Sequence, residues 1–130
     1  MAKSNENEPL AVSLLRGSAA ANLTGVPALY MPKKSKVMSV RICDQLGIAA
    51  DNTNYVVVSV KNGSAVVASY DSRAAGQGAL AAGVSKAAAL DPGAVDAIHV
   101  PAGSDLTVDV AVHGAAVLTN ANITMEYFPL

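Results

Sequence analysis

The chain has no tryptophan, one phenylalanine and one cysteine among its 130 residues, and aromatics make up only 4%. Each shortage closes a class of function. The single thiol, Cys43, excludes an intrachain disulfide and any metal site built from several cysteines. Its setting, VMSVRICD, reads as a half-buried strand rather than a nucleophile's loop. Few aromatics argue against a sugar platform and against base stacking on a nucleic-acid surface. Charge of one sign is also missing: 9 Lys and Arg stand against 10 Asp and Glu, for a net charge of -1. Such a chain has no overall field to draw it to nucleic acid or to an anionic membrane. No apolar run approaches the length of a membrane span. The opening MAKSNENEPL lacks the apolar region of a secretory signal, so the expectation is a cytosolic protein unless it leaves inside a larger particle.

Catalytic patterns are equally thin. No serine sits in a Gly-x-Ser-x-Gly elbow. The acids are scattered over turns and outer strand positions, so no carboxylate pair has a geometric case for acid–base work. His99, His113, Asp105 and Asp109 invite a metal reading, but Asp109 and His113 are four residues apart on an expected strand, about 13 Å, too far to share one ion. Gly76-Gln77-Gly78 does not open a helix after a strand, so it is no dinucleotide site. Asn22-Leu23-Thr24, Asn62-Gly63-Ser64 and Asn122-Ile123-Thr124 match the glycosylation pattern but read as turn and strand chemistry without a secretory signal. No catalytic residue, metal or cofactor is expected.

What the chain does have is small apolar residues: hydrophobics reach 52%, mostly alanine and valine. Their pattern alternates with period two, the mark of half-buried strands. The strongest local signal is NYVVVSVKNGSAVVASYD, Asn54 to Asp71, where two apolar runs flank Asn62-Gly63. Asn-Gly suits a two-residue type I′ turn. That turn would set Val60 against Ala65 and Val58 against Val67 on a core face, with Tyr55 beside Tyr70 on the other. Val37 to Asp44 would turn Met38, Val40 and Ile42 inward. Asp105 to His113 would bury Leu106, Val108, Val110 and Val112, and Asn122 to Phe128 would bury Ile123, Met125 and Tyr127. Leu10 to Leu15 and Val26 to Met31 read as extended segments, Ala94 to Val100 as a short strand, and Val84 to Leu90 as either helix or strand. Gly17 to Gly25, Ser72 to Gly83 and Gly114 to Ala121 read as loops, the second a mobile one. About eight short strands between Gly/Pro/Asn turns, with no long amphipathic helix, predict an all-β antiparallel jelly roll or sandwich. One domain spans 1–130, with residues 1–9 as an extended polar arm.

The layout YVVVSVKNGSAVVASYDS, a Gly/Ala loop, GALAAGVSKAAAL, then IHVPAGSDLTVDVAVHG and a closing ANITMEYF resembles the small jelly-roll decoration, or cement, proteins of tailed-bacteriophage heads. The likeness covers roughly Lys36 to Phe128; the same layout also occurs in phage tail and fibre domains that bind a receptor or glycan. It implies a non-enzymatic virion protein on the capsid exterior, assembled in the host cytoplasm, often a homotrimer, that bridges neighbouring major capsid proteins. On that resemblance the arm (Lys3, Glu6 and Glu8, continuing to Leu10) would order on the capsid or on a neighbouring subunit. Lys33, Lys34 and Lys36, the one basic cluster, would meet acidic capsid surface rather than nucleic acid. Tyr55, Tyr70 and Tyr127 would be subunit-interface candidates.

Overall fold

The computed structural model describes residues 8–93 and 96–130, so Lys3 and Glu6 lie outside the described residues. Ten strands run among them: β1 (Leu10–Ala19), β2 (Leu23–Met31), β3 (Ser35–Cys43), β4 (Tyr55–Asn62), β5 (Ala65–Asp71), β6 (Lys86–Ala87), β7 (Ala89–Leu90), β8 (His99–Val100), β9 (Ser104–His113) and β10 (Leu118–Pro129). They form two antiparallel sheets packed face to face. The first has the order β1-β10-β3, with β6 and β8 sharing the far edge of β3; the second has the order β2-β9-β4-β5-β7. The pairings nest: β1 with β10, β2 with β9, β3 with β8, β4 with β5. This is the winding of a jelly roll, a long hairpin rolled on itself.

The alternation read from the sequence builds the core. Leu106, Val108 and Val110 of β9 face Ile123 and Met125 of β10 across the interior, with Val56, Val58 and Val60 of β4 and Val40 and Ile42 of β3; all are buried. Each such side chain contributes about 1.5–3 kcal/mol on burial. Val112 and Tyr127 are only partly buried, at the rims of the roll.

The expected register changes at the hairpin turn and at β-bulges. At the hairpin, Asn62 pairs with Ala65, so the turn is Gly63-Ser64 and not Asn62-Gly63. Only Gly63 has positive φ there, at 62°. That is the type II′ requirement, glycine at the first central position. A bulge then leaves Val67 unopposed between the pairs Lys61↔Val66 and Val60↔Ala68. Past it the alternation of β5 is inverted, because one extra residue sends later side chains to the opposite face. Tyr70 therefore faces inward opposite Val58, 1% exposed, and does not lie beside Tyr55. A second bulge, at Met38 between Glu126↔Ser39 and Tyr127↔Val37, turns Met38 out and Val37 and Ser35 in. In β1 a third leaves Leu14 between the paired Ser13 and Leu15.

The expected loops also change. Part of Gly17 to Gly25 is strand, and β10 begins at Leu118 inside the expected 114–121 loop. Ser72 to Gly83 is tied down at several points: Tyr70 donates its hydroxyl to the Gly78 carbonyl at 2.6 Å, Gln77 accepts from the Asp71 amide at 2.7 Å, and Leu80 bridges Ile48. Val84 to Leu90 is neither one helix nor one strand. Lys86–Ala87 joins the first sheet and Ala89–Leu90 the second, with the Ala88 amide bonded to the Val40 carbonyl between them. This crossing closes one side of the sandwich. Of the expected strand at 94–100 only His99–Val100 (β8) is strand, residues 96–98 form a turn, and Ala94 and Val95 lie outside the described residues.

Candidate interaction surface

The roll has two ends of different chemistry. One gathers the loops 44–54, 72–85 and 114–117. Charge there is turned inward. Asp44 is fully buried and accepts from the amides of Leu46, Gly47 and Thr119 at 3.0, 3.0 and 2.7 Å. Gly47 is needed beside it: at φ 78°, a Cβ would stand 2.6 Å from the Leu80 carbonyl oxygen. The Asp51 carboxylate caps its own turn, and the Asn54 and Thr53 amides hold its pKa below the usual carboxylate value. Lys86 donates to the Ala79 carbonyl.

At the opposite end the chain emerges into β1, and there the sequence's candidates converge. Leu10, Lys33 and Tyr127 line one cleft of 230 Å³ with Met31, Pro32, Ser35 and Pro129. Two pairings explain the convergence. Leu10 lies opposite Tyr127 on the β1–β10 ladder, and Tyr127 lies opposite Val37 on the β10–β3 ladder. The Lys33-Lys34 turn joins β2 to β3 at the same level, and the Leu130 amide bonds to the Lys34 carbonyl at 2.7 Å. Lys36 is half-buried between Phe128 and His99 on the neighbouring strands, and His99 in turn contacts Asp96 at 2.6 Å. Glu8 is exposed at the mouth of this end. Among the described residues no ion pair engages Lys33, Lys34, Lys36 or Asp105. The apolar rim is large: Leu10 is 46% exposed, Tyr30 57% and Leu130 62%. Exposed apolar side chains thus lie beside lysines that, among the described residues, make no ion pair.

Tyr30, Pro129 and Leu130 were not singled out by the sequence pattern. Tyr30 offered one signal, an aromatic in an apolar strand directly before the lysine turn. It lies opposite Asp105 on the outer face of the β2–β9 ladder, between the inward-turned Leu29 and Met31.

The tyrosines do not form one interface. Tyr127 sits in the cleft. Tyr70 is inside the protomer, where burial first, and then the charges of Asp71 and Asp44, push its pKa up to about 12. Tyr55 lies on the outer face of the second sheet, stacked on His113 at 4.2 Å with planes 10° apart, while the Arg73 guanidinium covers the ring at 4.6 Å. His113 and Arg73 thus both cover the Tyr55 ring. Asp71 holds Arg73 at 2.6 Å, and that contact keeps the Asp71 pKa below its ordinary value. His113 is thus engaged with Tyr55. Asp109 accepts from the Gly25 amide at 2.7 Å and pairs with Lys61 at 3.2 Å, stitching β2 and β4 to β9.

Compared with protein families, curated proteins and solved structures, the chain matches none.

Proposed function

We propose that this chain is a structural, non-catalytic protein of a bacteriophage virion, bound to the outside of the capsid, where it bridges neighbouring major capsid proteins. The observation that carries the reading is the convergence at one end of a jelly roll. The root of a polar arm at Leu10, the Lys33-Lys34 turn and an apolar cleft lie together there, and among the described residues Lys33, Lys34 and Lys36 make no ion pair. The lysines steer the end to an acidic surface, and Leu10, Tyr30 and Leu130 supply the area that desolvates on contact. One such end is a weak binder. Three of them in a homotrimer act at high effective concentration and hold a shell far more tightly than any single patch.

Co-sedimentation with expanded capsids that lack the protein tests the reading. The purified chain is expected to pellet with capsids in a saturable way, at a fixed ratio to the major capsid protein. A chain that stays in the supernatant at every capsid concentration overturns it.

A further inference from the structure

We propose that a cleft on the outer face of the first sheet, between β1 and β10, binds a small sugar acid, a single ring carrying a carboxylate and hydroxyl groups. The cleft is centred on Arg16, six residues along β1 from Leu10 and so about 20 Å from the lysine turn. It is a second site, independent of the capsid-binding end.

An irregularity of the ladder makes the cleft. Gly17 pairs with Ala121 and Ala19 with Leu118, so Ser18 alone faces Thr119 and Asn120. One residue against two is a β-bulge, and bulges re-aim side chains beside functional sites. Asn120 takes the bend at φ 43°, a left-handed conformation that costs any residue with a side chain and asparagine less than most. Hydrogen bonds hold it there. Its amide donates to the Ser18 hydroxyl oxygen at 2.9 Å, and its side-chain Nδ2 donates to Gln45 Oε1. The Gln45 amide in turn donates to the adjacent Thr119 carbonyl at 3.0 Å. The bend leaves a cleft of 340 Å³ lined by Arg16, Gly17, Asn120, Ala121 and Asn122.

The polar groups in it select the ligand. Arg16 and Asn122 are directly opposed on the ladder, so their side chains share the outer face. Asn122 accepts the Ser13 hydroxyl through Oδ1 at 2.7 Å, which orients the amide and leaves Nδ2 as a donor. Among the described residues the Arg16 side chain makes no ion pair and no hydrogen bond, and no Asp or Glu lines the cleft. A guanidinium beside an amide N–H suits a carboxylate, which accepts two parallel bonds from arginine and has a lone pair left for the amide. Asn120, with Nδ2 committed to Gln45, offers Oδ1, an acceptor for a hydroxyl. The cleft is at the small end of the range for small-molecule sites, room for one ring and not for a peptide. Selection by charge and hydrogen bonds needs no stacking, so the shortage of aromatics does not count against this site.

Amide NMR shifts of the full chain, titrated with glucuronate, glucose and acetate, test the proposal. Glucuronate is expected to move the amides of residues 16–18 and 119–122 and to saturate, with a Kd on the order of 1 mM. Glucose lacks the carboxylate and acetate lacks the hydroxyls, so each is expected to bind about tenfold more weakly or worse. Asn122→Asp keeps the acceptor for the Ser13 hydroxyl and sets a negative charge against the ligand. It should abolish saturation while amides elsewhere keep their shifts. Asn120→Gly suits the left-handed bend and should weaken glucuronate while leaving acetate unchanged. Methyl glucuronide separates the two sources of such a ring: it binds if the ligand is a terminal unit of a glycan and fails if it is the free acid, and either result supports the site once glucuronate binds. No saturable shift with glucuronate, an equal response to glucose or to acetate, or undiminished binding by Asn122→Asp each overturn the proposal.

Discussion

At the scale of single residues, Tyr70 does the most with the least warning. It is the largest fully buried side chain, and its hydroxyl reaches the Gly78 carbonyl at 2.6 Å, fastening the 72–83 loop to the core. Burial keeps it neutral, with a pKa of about 12 against an ordinary value of 10.0. The folded state thus releases this proton later than the unfolded chain does. The stability Tyr70 contributes is complete below pH 10.0 and is lost as pH rises toward about 12. Tyr70→Phe is expected to cost about 1 kcal/mol at neutral pH through the lost hydrogen bond. Above pH 10 its stability should fall less steeply than that of the parent chain. Denaturant unfolding of both proteins at pH 7, 9, 10 and 11 measures this difference, and the other titrating groups cancel in it. A constant gap between the two curves contradicts the assignment.

At the scale of elements, the bulges decide which residues meet. The Gly63-Ser64 turn gives a direct check. Gly63→Ala places a Cβ on a residue with φ of 62° and is expected to cost about 1–2 kcal/mol, whereas Ser64→Ala, at ordinary φ, should cost little. Equilibrium unfolding in urea distinguishes the two substitutions, and equal losses would point to a different turn. The same elements show how much of the fold was legible in the sequence. The alternation of β4, β9 and most of β10 was plain, because those strands keep strict period two with one face in the core. The hairpin was legible as a hairpin, but its register was not: Asn-Gly and Gly-Ser are both acceptable turn centres, and the bulge at Val67 that turns Tyr70 inward leaves no mark in the pattern. Met38 was misplaced because a bulge leaves no mark in the hydrophobic pattern. Val84 to Leu90 was ambiguous for a physical reason, since a segment that serves two sheets in turn repeats with neither period. Of the candidate surface, Leu10, Lys33 and Tyr127 were chosen separately from the sequence, and only the ladders show that they share a cleft.

At the scale of the whole molecule, the separation of chemistry between the two ends orients the protein. The loop end satisfies its charges internally, and at the arm end Lys33, Lys34 and Lys36 make no ion pair among the described residues. Lys33→Glu with Lys34→Glu is therefore expected to lower capsid binding about tenfold at low salt, by removing steering and adding repulsion. The difference should shrink as ionic strength rises and screening shortens the range of the charges. Co-sedimentation at 50 and 300 mM salt reads this, and a salt-independent loss argues for local unfolding instead. The nested pairing has a kinetic consequence. Only β4 and β5 are joined by a tight turn, while Ser13 and Asn122, bonded across β1 and β10, are 109 residues apart. Closing distant partners first costs chain entropy that nothing yet offsets, so the roll is expected to zip outward from Gly63-Ser64, with the β1–β10 ladder last to form, and hydrogen exchange during refolding checks the order. Because Leu10 and Tyr127 face each other on that ladder, the cleft they line is finished only when the rest of the molecule has folded.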